Sequence, residues 1–124
     1  MIMETGNKHI FLIDDDPLNN LINRKLIARV LPDVLVTEEN DAQSALNKLK
    51  LEITPDLILL DLNMPGMNGW EFLDRFKETG KEITVYILTS SIDPDDFKKA
   101  RKYKIVKKYI EKPLNANKIN NLFS

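Results

Sequence analysis

Short apolar runs alternate along this chain with segments whose apolar residues recur at helical spacing. HIFLI (9–13), VLVTE (34–38), DLILL (56–60), ITVYILT (83–89) and KIVKKYI (104–110) read as strands. Three of them are almost continuously apolar, as expected of strands covered on both faces. Leu18, Ile22, Leu26 and Val30 recur every four residues and read as one helical stripe. Pro17 suits the first turn of that helix, where its missing N–H is not needed. Ala42, Ala45, Leu46 and Leu49 mark a second helix, with Asn40 or Asp41 as its cap. Trp70, Leu73 and Phe76 mark a third, after a glycine-containing loop. Asp93 and Pro94 open a fourth, with Phe97, Ala100 and Tyr103 on one face, and a last helix starts near Asn115, with Ile119, Leu122 and Phe123 facing inward.

Five strands alternating with five helices predict an α/β fold, a five-stranded parallel sheet doubly wound as (βα)5. Right-handed crossovers leave few topologies, of which the flavodoxin-like order 2-1-3-4-5 is the simplest. A length of 124 residues suits a single domain over 1–124. Ligands of such sheets bind outside the carboxyl ends of the strands, beside the first and third.

That rule gathers chemistry from distant parts of the chain. Asp14, Asp15 and Asp16 follow the first strand, and Asp61 follows the third in DLILLDLNMPGMNG. Thr89 and Ser90 end the fourth, and Lys112 follows the fifth in YIEKPLN. Carboxylates crowded at one point raise one another's pKa values. A hard divalent cation reverses that cost, and oxygen ligands suit magnesium or calcium. A lysine and a hydroxyl beside the cation suit a bound anion, so the set reads as a site for a cation and a phosphoryl group. With no cysteine or histidine there, a carboxylate is the expected nucleophile, and Asp61 is central. Asp16 reads as the helix cap before Pro17.

Composition narrows the field. The chain has no cysteine, which removes disulfides and thiolate chemistry. Its one histidine, His9, cannot form a histidine metal cluster and reads as the start of a strand. A formal net charge of -1 argues against general affinity for nucleic acid or membrane. No apolar run is long enough to span a bilayer. MIMETGNKHI (1–10) lacks the pattern of a signal peptide, so the expected location is cytoplasmic.

IDDDP, LLDLNMPGMNG, ILTSS and YIEKPL, in this order and at these intervals, resemble the receiver domain of two-component response regulators. The resemblance spans nearly the whole chain and is to the CheY-like, stand-alone type. It implies that Asp61 accepts a phosphoryl group from a sensor histidine kinase or a histidine phosphotransfer protein. It also implies that Asp15 binds Mg2+ directly, that Asp14 completes the acidic pocket, and that the main-chain carbonyl of Asn63 is a further ligand. Thr89 would receive a phosphoryl oxygen and Lys112 would pair with the phosphoryl group or the carboxylate. The Lys112–Pro113 bond would be cis. Tyr109 stands where the family has a switching aromatic, which rotates inward as Thr89 moves toward the phosphoryl group. The acyl phosphate is labile, so the mark is timed. Such a domain is a signalling phosphoacceptor rather than an enzyme with its own substrate.

Other features read more plainly. Met64, Met67 and Trp70 are packing residues, and Gly66 and Gly69 serve backbone conformations that other residues avoid. Asn19, Asn20 and Asn23 fall on the first helix, whose surface would choose the kinase. Ser91, near the site, leaves the phosphoryl lifetime open. FKKARKYKIVKKY carries seven basic residues, Lys98, Lys99, Arg101, Lys102, Lys104, Lys107 and Lys108. They cover the fourth helix and fifth strand, which with the last helix form the face receivers use for downstream proteins, so an acidic protein partner is expected. No DNA-reading motif is present, so direct DNA binding is not expected. A rival reading is a Mg2+-dependent phosphohydrolase with an aspartyl nucleophile, but such enzymes place that residue on the first strand in a D-x-D-x-T/V pattern. A third is docking without phosphorylation, against which the full set of Asp14, Asp15, Asp61, Thr89 and Lys112 speaks.

Overall fold

The computed structural model describes residues 8–123. The reading of residues 1–10 as lacking a signal peptide falls largely on residues 1–7, which lie outside the described residues. The elements run β1 (His9–Ile13), α1 (Pro17–Val30), β2 (Leu35–Glu39), α2 (Ala42–Leu51), β3 (Leu57–Leu60), α3 (Gly69–Glu78), β4 (Thr84–Thr89), α4 (Pro94–Ala100), β5 (Val106–Glu111) and α5 (Ala116–Asn120). The strands form one parallel sheet in the order β2-β1-β3-β4-β5. That is the doubly wound arrangement expected from the alternation of elements.

The period-two alternation of strands sorts the core onto two faces. Phe11, Ile13, Ile58 and Leu60 point to the side covered by α2 and α3, where they meet Leu46, Leu49, Phe72 and Phe76. Ile10, Leu12, Leu57 and Leu59 point to the other side, against Ile27, Ile119 and Leu122 of the α1 and α5 layer. A smaller cluster of Leu62, Ile87 and Ala100 seats α4. Each fully buried aliphatic or phenyl side chain contributes roughly 1.5–3 kcal/mol through removal from water.

Every helix begins on an Asp or Asn whose side chain accepts a backbone N–H of the first turn: Asp16, Asp41, Asn68, Asp93 and Asn115. Asp41 rather than Asn40 is the cap of α2. Such a cap is worth about 1 kcal/mol to its helix. Among the described residues no helix is long and apolar enough to cross a membrane.

Three details of the sequence reading change. The stripe Leu18–Ile22–Leu26–Val30 is the packed face of α1 only in its second half, where Leu26 and Val30 lie against the core. Leu18 and Ile22 are 61% and 52% exposed, while Asn20 and Ile27 are buried. A strict four-residue repeat winds about 40° around the helix at each step, so it cannot stay on one face. Positions seven apart nearly superpose, and 20 and 27 are such a pair. On α4, Phe97 is 49% exposed and Tyr103 lies beyond the helix end, so only Ala100 of the expected face is core. Gly69 has no positive φ, unlike Gly66 at 77°. Its role is space: a Cβ there would stand 2.8 Å from Leu62 Cα and 2.9 Å from the Asp61 carbonyl oxygen.

That close approach binds the start of α3 to the chain leaving β3, and Gly69 N donates to Leu62 O at 3.0 Å. Gly69→Ala is therefore expected to lower stability by about 1–3 kcal/mol, because the obstructing atoms are backbone and cannot swing aside. Urea unfolding of the variant beside the parent checks it; an unchanged midpoint would show that the two segments can part freely.

Candidate functional site

The site is assembled by strand register. Ile13 pairs with Leu60 across β1 and β3, and Asp61 N donates to Ile13 O at 2.9 Å. The residues that follow, Asp14 and Asp61, therefore leave the sheet side by side. One carboxylate oxygen from each of Asp14, Asp15 and Asp61 lies within 4.8 Å of the others. Asp14 and Asp61 are buried and Asp15 is half-buried. Asp16 turns away: its carboxylate caps α1 through Leu18 N at 2.9 Å, and its own N–H donates to Asp14 Oδ1 at 2.9 Å.

Lys112 arrives from the end of β5 and its Nζ sits 2.8 Å from Asp14 Oδ2 and 3.6 Å from Asp61 Oδ2. The Lys112–Pro113 peptide is cis, as the family resemblance implied. Lys112 N donates to Thr89 O at 2.9 Å, which ties the ends of β4 and β5 together. Thr89 is fully buried, and its Oγ1 accepts Ser91 N at 3.3 Å. Asn63 is exposed on the loop after Asp61, and its N–H donates to Asp61 Oδ1 at 3.3 Å. Thus Asp14, Asp15, Asp61 and Lys112 share one cluster, with Thr89 and Asn63 bonded into its margins.

Tyr109 stands further along β5, half-buried. Its hydroxyl donates to Ser91 O at 3.2 Å, and its ring meets Phe97 edge-on at 5.6 Å. Ser91 Oγ donates in turn to Asp96 Oδ2 at 2.6 Å. Ser91 thereby contacts Thr89, Tyr109 and α4 at once, a junction that sequence spacing did not disclose. Trp70 stacks on Tyr103 at 5.7 Å, and Lys99 Nζ lies 4.9 Å above the Trp70 ring, so these are packing contacts as expected. Within the basic run, Lys108 is committed to the fold: its Nζ donates to Asn121 O at 2.8 Å. His9 opens β1 as expected, with Nε2 2.8 Å from Thr37 Oγ1.

Electrostatics follow from this crowding. Burial pushes the Asp61 carboxyl above its ordinary range; Lys112 opposes the shift, and Asp14 and Asp15 add to it. Asp15 is also raised, by desolvation first and then by Asp14. Burial alone would lower Lys112, but its hydrogen bond to Asp14 and the charges of Asp61 and Asp14 prevail and raise it. The cluster holds more negative charge than one lysine balances. Its donors are hard oxygens, and neighbouring ligands of an octahedral Mg2+ stand about 3 Å apart with opposed ones near 4 Å. Oxygens already within 4.8 Å of one another need little movement to meet that geometry. The site therefore fits Mg2+, for which Asp14, Asp15 and Asp61 would supply the side-chain oxygens.

Asn20 is the site residue that sequence reading misplaced. It is not on the surface of α1 but 2% exposed, with its Nδ2 donating to Asp14 O at 2.9 Å. Its seven-residue spacing from the apolar Ile27 was the available signal.

The raised Asp61 carboxyl has a consequence for stability. In the window between its ordinary value and its raised folded value, the native state keeps a proton that the unfolded chain has lost, so stability falls as pH rises. Asp61→Asn removes that cost. In the metal-free protein it is expected to raise the urea midpoint at neutral pH, with the gain vanishing below about pH 4, where the unfolded carboxylate is itself protonated. A loss of stability at neutral pH would mean that Lys112 outweighs burial.

Comparison with known proteins gives a consistent picture. The model of the response regulator receiver domain matches residues 10–124. A two-component response regulator from Cytophaga hutchinsonii shares 36% identity, with a TM-score of 0.84 over 95% of each chain. The phosphorylated cyanobacterial phytochrome response regulator RcpA shares 32%, with a TM-score of 0.76 over 90% of this chain and 85% of that one. The nitrate/nitrite response regulator NarL of Escherichia coli is 39% identical over 70% of this chain and 40% of its own length. The transcriptional regulatory protein MalR of Bacillus subtilis is 29% identical over 94% of this chain and 48% of its own. The chain thus spans less than half the length of these two curated relatives.

Proposed function

Because this chain belongs to the response regulator receiver family, we propose that it is a phosphorylation-driven switch that takes a phosphoryl group on Asp61 from a histidine kinase or a histidine phosphotransfer protein. The observation that carries this is the convergence of Asp14, Asp15 and Asp61 on one point, with Lys112 reaching both Asp14 and Asp61. The RcpA neighbour, whose structure is of a phosphorylated protein, lends the reading further support.

Phosphoryl transfer asks the protein for position and charge neutralisation rather than proton shuttling. Asp61 supplies the nucleophile: a carboxylate oxygen forms the new P–O bond as the P–N bond of a phosphohistidine breaks and the imidazole takes a proton. Register with β1 and the Asn63 N–H hold that carboxylate in place. Mg2+, when bound, neutralises the phosphoryl oxygens and the acidic pair together. Asp14, Asp15 and Asp61 would hold it through side-chain oxygens, and the Asn63 carbonyl would be its main-chain ligand. Lys112 transfers its ion pair from the carboxylates to the incoming phosphoryl group, and the Thr89 hydroxyl donates to another of its oxygens. Hydrolysis returns the carboxylate and inorganic phosphate, so the chain acts as a timed mark rather than as an enzyme on a separate substrate. The phosphohydrolase alternative expects its nucleophile on the first strand, whereas the central carboxylate here follows β3.

The output runs through Thr89. Its move toward the phosphoryl group displaces Ser91, whose carbonyl holds the Tyr109 hydroxyl. Tyr109 then changes its packing with Phe97, and the α4–β5–α5 face, rich in lysine, presents a new surface to an acidic protein target.

Incubation with acetyl phosphate is expected to add one phosphoryl mass only when Mg2+ is present and Asp61 is intact. Intact mass of the parent and of Asp61→Asn, with and without Mg2+, checks it. Failure of a folded, Mg2+-binding protein to accept either phosphate or beryllofluoride would favour docking without phosphorylation. The Tyr109 ring is expected to shift in NMR spectra when beryllofluoride binds at Asp61; a ring signal that stays in place would remove Tyr109 from the switch.

A further inference from the structure

Among the described residues four polar side chains are buried: Asp14, Asp61, Thr89 and Asn20. The first three belong to the acidic site, and Asn20 stands directly behind it on α1. Its Nδ2 donates to Asp14 O at 2.9 Å and to Glu39 O at 3.3 Å. Both neighbours are carbonyls that can only accept, which fixes the orientation of the amide. Glu39 O also accepts Asp14 N at 3.2 Å. Asn20 thus closes a small ring of hydrogen bonds that pins the main chain of Asp14 to the end of β2. This is where the chain leaves the sheet and where carboxylate repulsion would otherwise push it outward.

The other end of the amide is the informative one. Asn20 Oδ1 is buried and has no hydrogen-bond partner among the described residues. An unpaired buried acceptor is costly, and an apolar residue of similar size would avoid the cost. Asn20, Asn23, Asp14 and Asp61 line a cavity of about 10 Å³ whose remaining walls are Leu12, Ile13, Leu59 and Leu88.

We propose that Asn20 is a positioning residue of the cation site: its amide nitrogen locks the Asp14 main chain to the end of β2, directly behind the carboxylates of Asp14 and Asp61. The inference rests on the Mg2+ reading above. It assigns Asn20 the work of presenting Asp14 and Asp61 in a fixed geometry before the cation arrives, through contacts outside the ligand set.

The test is Mg2+ titration by calorimetry of the parent and of Asn20→Leu, each with its urea midpoint measured in the absence of metal. Asn20→Leu is expected to fold with a lower midpoint, since the Asp14 carbonyl loses its amide donor, while its Mg2+ dissociation constant rises about tenfold. Equal Mg2+ affinity in the folded variant overturns the proposal and leaves the cation reading standing. A parent chain that takes up no Mg2+ overturns the cation reading, and the proposal with it. Should Asn20→Leu fail to fold, NMR of the parent carries the test. The side-chain amide protons of Asn20 are expected to exchange slowly with solvent and to shift as Mg2+ is added; rapid exchange with no shift overturns the proposal.

Discussion

Repulsion between the carboxylates at the ends of β1 and β3 is the constraint around which the upper edge of this molecule is organised. Two like charges about 4 Å apart near a protein surface repel by roughly 4 kcal/mol, against a typical total stability of 5–15 kcal/mol. The fold nevertheless places Asp14 and Asp61 side by side, because the Ile13–Leu60 register leaves them no alternative. Lys112 answers the charge from the far end of the sequence, and Asn20 answers it mechanically by holding the Asp14 main chain. The remaining excess charge is what makes the site fit for a divalent cation.

The same edge links the acidic cluster to β5 and α4 through few atoms. Thr89 lies at the end of β4 with its backbone carbonyl bonded to Lys112 N and its hydroxyl bonded to Ser91 N. Ser91 in turn holds Tyr109 through its carbonyl and Asp96 through its hydroxyl. Thr89 is therefore connected to β5 and α4 by a short series of hydrogen bonds. The exposed flank of α4, with Phe97 against Tyr109, is where that series reaches solvent.

Much of this was legible in the chain alone, for reasons that differ by residue. Strand runs such as LILL cannot be exposed on either side, so they announced a sheet covered by helices on both faces. Parallel strands place their carboxyl ends together, so Asp14, Asp61, Thr89 and Lys112 could be gathered without coordinates. Asp16 read correctly as a cap, and Asp41 was one of two candidates for the next, because capping is a local interaction. The cis bond before Pro113 was carried by the family resemblance rather than by any local rule.

What the sequence determined by itself was the order of elements, the sheet and the identity of the residues at its carboxyl edge, because periodicity and strand direction are properties of the backbone repeat. Tertiary structure decided the matters that depend on a neighbour from elsewhere in the chain. Leu18 and Ile22 looked like core but lie on the solvent side of α1, since only packing says which arc of a helix meets the sheet. Gly69 looked like a turn residue but is required by the closeness of Leu62 and the Asp61 carbonyl, a contact made only when α3 docks. Asn20 looked like surface and is buried, because the carbonyls that accept its amide belong to the ends of β1 and β2, and those come together only in the folded sheet.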